Sequence, residues 1–459
     1  DDDKIKIFHD ADKKISDEAN KALKPNSAGR LNNLHDMVVS GARGGKNTIK
    51  NLTGSVGQMI DHEGKVMTEP VKSNYTEGLS SLEYVNHMYG NRKSMVNVYE
   101  STKDPGALTK EMMVTASTHK VVEYDCGTTE GIYEPIDGDL LDRVSAENIP
   151  GCVKRNEVIG NLQLQALRKK KINKLKVRST MTCRAVNGVC DLCYGLDESG
   201  AFPDIGDNVG IKETQGLTEP TTQLALASKH GGGAASTAGQ TSGFKRIKQL
   251  FDMPQSLPGA AVLSIIDGVV SRIEPSPLGG KDVFIGNEKF HVPATKQVVV
   301  NIGSRLKKGD RISNGAIKYQ DFIKLKGLAD TQKQLRNDIH EAYGAGGVNL
   351  KKKSIETTVK MLTESVKILN PGDHDGFIVG DYSTLSRVEQ WNKQHPGKRP
   401  IVYEHVLPGA NMMPHKSTDW ARRMALSHIK DTLQVGAPAG LKTSLKGEGS
   451  PYGKLIFGR

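Results

Sequence analysis

Three cysteines crowded into one short stretch constrain this chain more than any other feature of its sequence. Cys183, Cys190 and Cys193 are spaced C-x6-C-x2-C in TCRAVNGVCDLCYG, and the close pair suits a tight turn that offers two thiolates to one tetrahedral zinc ion. Three ligands require a fourth. The other cysteines are Cys126, in YDCGTTEGI, and Cys152, and Cys126 is the better candidate because its surroundings read as a turn. A site of four thiolates is closed and structural, so it holds segments together and does no chemistry. The competing reading is a set of buried free thiols. Disulfides are disfavoured because the chain reads as intracellular. No apolar run approaches the roughly 20 residues that cross a bilayer, and no signal peptide is visible.

A second stretch, residues 218–251, reads TEPTTQLALASKHGGGAASTAGQTSGFKRIKQLF and predicts two helices joined by a hinge. Thr218 or Glu219 can cap the first, with Pro220 in its first turn, where a missing N–H costs nothing. Gln223, Leu226, Ala227 and His230 then fall on one face. Gly231, Gly232 and Gly233 stop that helix, and the small polar residues up to Gly243 offer too little apolar surface to hold one conformation. Phe244, Ile247 and Phe251 mark the second helix, among Lys245, Arg246 and Lys248. Such a pair can fold up or melt.

EPTTQLALASKHGGGAAS and GFKRIKQLFDMP resemble the trigger loop, and the segment after it, of the β′ (largest) subunit of multisubunit DNA-directed RNA polymerases. The resemblance runs along nearly the whole chain. SGARGGKNTIKNLTGSVGQM, at 40–59, resembles the SGARG segment that supports the catalytic centre, and EPVKSNYTEGLSSLEYVNHMYGNRK resembles the block that follows it. The resemblance implies that His230 lies near the triphosphate of the incoming nucleotide, Leu226 against the nucleobase and Gln223 towards the ribose. It implies a bridge helix mostly within 90–126, kinked at Pro105 and Gly106, where the residues alone read as two helices broken at Asp104-Pro105-Gly106. Thr102, Asp104, Gly106 and Ala107 are the implied template contacts, with Pro105 and Ala107 departing from the family's common residues. It also makes Cys126 the distant fourth zinc ligand.

The expected fold is mixed α+β in several units: a helical core of bridge helix and trigger loop, a zinc-binding module, and a small β-barrel or sandwich-like module. Residues 1–89 form a helical active-site support region, 90–125 the bridge-helix region, 126–217 the zinc-binding and basic module, and 218–253 the trigger loop. Residues 254–330 form the small β module, whose Val-, Ile- and Gly-rich strands lie at 254–315, and 331–459 a helical region like the clamp and its hinge. Helices are expected at 331–342 and at 354–369, the latter with the stripe Ile355, Val359, Leu362 and Val366. Another is expected at 418–433, where Arg422 and Arg423, with Lys442 beyond, suit a template strand or an exposed basic face. Arg168-Lys169-Lys170-Lys171, then Lys174, Lys176 and Arg178, form a basic run ending in a half-buried strand. Its outer face suits a phosphate backbone or plain solvent, and no aromatic residue interleaves in it.

The net charge of +11 and pI near 9.2 favour a polyanionic partner, nucleic acid rather than membrane. GARGGKNT fails as a phosphate-binding P-loop, since Ser40 stands where Gly is needed and Asn47 where Ser or Thr is. No dinucleotide fingerprint or hydrolytic triad is visible. Nor does the chain carry the NADFDGD-type aspartates that hold catalytic Mg²⁺; Asp137-Gly138-Asp139 is only an echo. The resemblance therefore implies the C-terminal half of β′ made as a separate, split subunit. Ala227, where cellular enzymes carry Arg, points to the large-genome bacteriophage type. The implied partners are an N-terminal β′-like subunit holding the Mg²⁺, one or more β-like subunits, a promoter-specificity factor, template DNA, the RNA transcript and nucleoside triphosphates. The implied place is the cytoplasm of a bacterial host. The alternative is a non-catalytic, zinc-stabilised nucleic-acid-binding or assembly protein descended from polymerase.

Overall fold

A computed structural model of the protein describes residues 2–23, 32–40, 42–59, 61, 66–230, 243–277, 279–417, 420–424, 429–438 and 440. The chain divides into two compact units, residues 1–104 with 225–240, and residues 105–224 with 241–459. The first is helical: α1 (Asp2–Ala22), α2 (Asn33–Val39), α3 (Lys46–Thr53) and α4 (Ser81–Ser101). α1 packs on α3 around a Lys50–Asp12 ion pair at 2.7 Å. α4 opens on a capping box, in which Ser80 Oγ accepts from the Glu83 N–H while the Glu83 carboxylate accepts from the Ser80 N–H.

The second unit opens in α5 (Lys103–Ala116), which follows α4 after the single turn residue Thr102. The helical break therefore falls at Thr102 and not at Pro105-Gly106. Pro105 sits in the first turn of α5, where no intrahelical bond is lost through its missing N–H. The chain then leaves the helix for β1 (Lys120–Glu123). Next come β2 (Ile132–Pro135), α6 (Asn161–Lys169), β3 (Lys174–Val177), β4 (Gly188–Cys190) and the single turn α7 (Asp191–Tyr194). β1 pairs in parallel with β4, and β2 antiparallel with β3.

α8 (Val209–His230) starts well before Thr218, so Pro220 lies inside the helix and not in a first turn. Two side chains bond back to carbonyls around the interruption. The Thr218 hydroxyl donates to Thr214 O at 2.9 Å, and the Thr221 hydroxyl to Thr218 O at 2.5 Å. Val209, Leu217 and Leu224 bury the helix's inner face, and that burial outweighs the local signal for a start at 218. The expected glycine stop and small-residue hinge, 231–242, lie outside the described residues. α9 (Gly243–Asp252) begins where expected, with Phe244, Ile247 and Phe251 buried and Leu250 beside them.

β5 (Gly268–Pro275), β6 (Lys281–Ile285), β7 (Glu288–Val292) and β8 (Arg305–Leu306) form one antiparallel sheet in the order β7-β6-β5-β8. Val270, Val283, Ile285 and Val292 fill its core. Isolated bridges join residues 260, 263 and 298 to 316, 311 and 313. α10 (Tyr319–Lys326), α11 (Leu328–Ala345) and α12 (Lys352–Thr363) follow. The helix expected at 354–369 ends early and gives way to β9 (Ser365–Asn370), the central strand between β10 (Tyr382–Thr384) and β11 (Val402–His405). Val366 continues the helical stripe of Ile355, Val359 and Leu362, but it also alternates with Ile368. Both are fully buried, and pairing on both strand edges decides the conformation. α13 (Leu385–Gln394) adds Val388 to the core of this sheet. α14 (Trp420–Met424) and α15 (Ile429–Gly436) cover parts of the helix expected at 418–433. Among the described residues, no helix is long and apolar enough to cross a membrane.

Candidate functional site

Parallel pairing of β1 with β4 sets Val121 against Val189 and Glu123 against Cys190, so the turn after β1 brings Cys126 to the end of β4. α7 starts immediately after Cys190 and carries Cys193 back over the same point. The Sγ atoms of Cys126, Cys183, Cys190 and Cys193 all lie within 4.8 Å of one another, in a core with Val121, Val189 and Leu192. Cys126 is half-buried and the other three are buried. Cys152 packs elsewhere, in the cluster of Leu140 and Leu167, so the fourth member is Cys126. Four thiolates about 2.3 Å from a tetrahedral zinc stand about 3.8 Å apart, and Cys126 Sγ and Cys193 Sγ are 3.8 Å apart. The donor set fits a bound metal ion. Hydrogen bonding with Cys183, Cys190 and Cys193 drives the Cys126 thiol far below its ordinary pKa.

Arg178 departs from its expected place on a basic outer face. β3 ends at Val177, the alternation stops there, and Arg178 is only 2% exposed. Its Nη2 lies 3.4 Å from Cys193 Sγ and 3.6 Å from the sulfurs of Cys126 and Cys190. The same nitrogen donates to Asp125 Oδ1 at 2.6 Å. Burial works against the guanidinium's charge, but attraction and hydrogen bonding to Cys193, with Asp125 and Cys190, outweigh it and raise the pKa. A buried cation so placed offsets negative charge on the thiolates.

α12 braces the cysteine loops through a line of charges at four-residue spacing. Glu356 accepts two hydrogen bonds from Arg143, at 2.6 and 3.1 Å, one from Arg336 at 3.1 Å and one from Ser179 Oγ at 2.7 Å. Arg336 also holds Glu134. Lys360 Nζ donates to Cys183 O at 3.0 Å. Glu364 bonds His119 at 3.1 Å and accepts from Ser386 Oγ at 2.6 Å. Burial pushes the Glu364 carboxyl up, but Lys360 and His119 prevail and hold it at about 2. Sequence reasoning finds only the apolar stripe of α12. The spacing of Glu356, Lys360 and Glu364 is the signal it passes over.

The other expected site residues lie apart from the cysteines in sequence and element. Gln223 is exposed on α8, and the helical backbone continues through Leu226 and Ala227 to His230; the side chains of 226–230 are outside the described residues. Thr102, Asp104 and Gly106 are all exposed, and a side chain built at Gly106 would meet nothing within 4 Å. Arg422 donates to Thr115 O at 2.9 Å, and Arg423 to Ser417 O. Both guanidiniums thus bind the chain's own backbone, and Lys442 lies outside the described residues.

Two family models match the chain: RNA polymerase Rpb1, domain 4, over residues 1–84, and RNA polymerase Rpb1, domain 5, over residues 78–274. The chain is similar to DNA-directed RNA polymerase subunit beta' of Thermoanaerobacter sp., 33% identical over 441 residues, covering 91% of this chain and 37% of that protein. The subunit of the same name from Caldicellulosiruptor saccharolyticus is 32% identical over 465 residues, covering 95% and 39%. That from Symbiobacterium thermophilum is 30% identical over 480 residues, covering 98% and 40%. The chain thus spans about two fifths of the length of the curated relatives it matches.

Proposed function

Because this chain is homologous to the C-terminal part of the DNA-directed RNA polymerase β′ subunit, we propose that it supplies the bridge helix and trigger loop of a multisubunit polymerase. The observation that carries this reading is the domain 5 match over residues 78–274, which takes in α4, α5, all four cysteines and the stretch 218–251. In this reading α4 and α5 form the bridge, and the exposed Thr102, Asp104 and Gly106 face the template. The stretch 218–253 is the trigger loop. It folds over a correctly paired nucleoside triphosphate, with Gln223 towards the ribose and Leu226 against the base. His230 then places positive charge or a proton at the departing pyrophosphate as the RNA 3′ hydroxyl attacks the α-phosphate.

Cys126, Cys183, Cys190 and Cys193 would hold a structural Zn²⁺, which cross-links the chain and takes no part in the reaction. The aspartates for catalytic Mg²⁺ would come from an N-terminal β′-like partner, with β-like subunits, a promoter-specificity factor, template DNA and transcript completing the complex in a bacterial cytoplasm. The finer reading, a split subunit of the large-genome bacteriophage type, rests on Ala227. The mass of the native polypeptide tests it: 49.8 kDa supports a separate subunit, and a much longer chain overturns it. For the function itself, the complex that co-purifies with the tagged chain is given a DNA template and an annealed RNA primer. Extension by the template-specified nucleotide is expected. No extension, with partners and nucleic acid still bound, would leave the non-catalytic binding protein as the reading.

A further inference from the structure

The run of cations between the cysteines has no task in that reading, and the fold gives it a surface. Residues 158–190 contain no aspartate or glutamate and eight lysines and arginines. Arg178 is turned in to the sulfurs, Arg184 is paired with Glu130 at 2.7 Å, and Arg168 and Lys169 sit in the last turn of α6, where they complement the helix dipole. Lys170 Nζ donates to Pro150 O and Lys171 lies in the turn after α6, which leaves Lys174 and Lys176 on β3. β2 and β3 pair so that Tyr133 stands directly opposite Lys176, and Pro135 opposite Lys174. Glu134 and Leu175, opposite each other between these pairs, are buried. Tyr133, Lys174 and Lys176 therefore share the outer face of a two-stranded ribbon.

Tyr133 is 61% exposed, and Lys174 has no acidic partner among the described residues. Lys176 Nζ donates to Thr129 O at 3.3 Å, and Arg155 to Thr128 O at 3.0 Å, which adds one further cation, Arg155, along the loop that enters β2. Reading the basic run alone finds no ring because Tyr133 joins it only through strand pairing. An aromatic face flanked by cations takes a base by stacking and its phosphates by charge. Only an unpaired strand has bases free to stack in this way.

We infer that the outer face of the β2–β3 ribbon binds single-stranded nucleic acid, with a base on Tyr133 and neighbouring phosphates on Lys174 and Lys176. The inference rests on the ribbon and stands whether or not the chain takes part in synthesis. Anisotropy of labelled oligo-dT and oligo-U, titrated with the full chain over a range of salt, tests it. Replacing both lysines, Lys174→Ala with Lys176→Ala, should flatten the dependence of log affinity on log salt by about 1.4, or 0.7 per lost phosphate contact. Tyr133→Ala should weaken binding about tenfold, and Tyr133→Phe should keep it near the starting value. Comparing the two oligonucleotides tells which strand is preferred. Unchanged affinity and salt slope in both the lysine and the Tyr133→Ala variants would overturn the inference. So would duplex DNA or poly-glutamate bound as tightly as the single strand, because either would mean charge without stacking.

Discussion

Glu356 is buried against two arginines, and of these Arg143 has no other carboxylate within ion-pair distance among the described residues. Glu356→Ala leaves that guanidinium buried and uncompensated, which should cost about 3–5 kcal/mol. Urea denaturation of the second unit's signal would show it as a lower midpoint at unchanged slope. Arg178 makes a different prediction, because it acts on the sulfurs. Arg178→Ala should weaken metal binding about 10- to 100-fold, read by competition with a chromophoric chelator, while an equal affinity would reduce Arg178 to packing. At this scale the cysteines were legible because their spacing is itself the chemistry. Arg178 was not, since the alternation that placed it outside ends one residue earlier, and Tyr133 was not, since its partner lies across a strand pair.

Among the elements, α4 owes its start to one carboxylate. Glu83 accepts from the N–H groups of Lys72, Ser73 and Ser80 and from the hydroxyls of both serines. Ser80's hydroxyl is the largest cause, followed by backbone N–H groups, and together they lower the Glu83 pKa from 4.5 to about 2. Because the folded value is depressed, the cap's contribution is whole above about 4.5 and is lost as pH falls towards 2. Backbone chemical shifts of the first turn of α4 should show fraying across that window, and Glu83→Gln should abolish the pH dependence. α9 was legible from its three apolar residues. The start of α8 and the end of α12 were not, because buried contacts with distant segments outweighed Pro220 in one and a helical apolar spacing in the other.

For the whole molecule, four cysteines gather segments that local sequence leaves separate, β1 with β4, with α12 pressed on them through Glu356 and Lys360. Chelation of metal should therefore raise hydrogen exchange first at 120–126, 174–194 and α12, with little change in β5 to β7. Exchange left unchanged at these segments would mean that the cysteine core is held by packing alone. The mixed architecture followed from the sequence; the charged bracing did not, because it joins residues some 200 positions apart, as with Arg143 and Glu356. The most direct test of the polymerase reading is single-turnover nucleotide addition by the co-purified complex, with the parent chain beside His230→Ala. Addition slowed by about 100-fold or more, with assembly and metal content unchanged, is the predicted result; an undiminished rate in a fully assembled complex would contradict it.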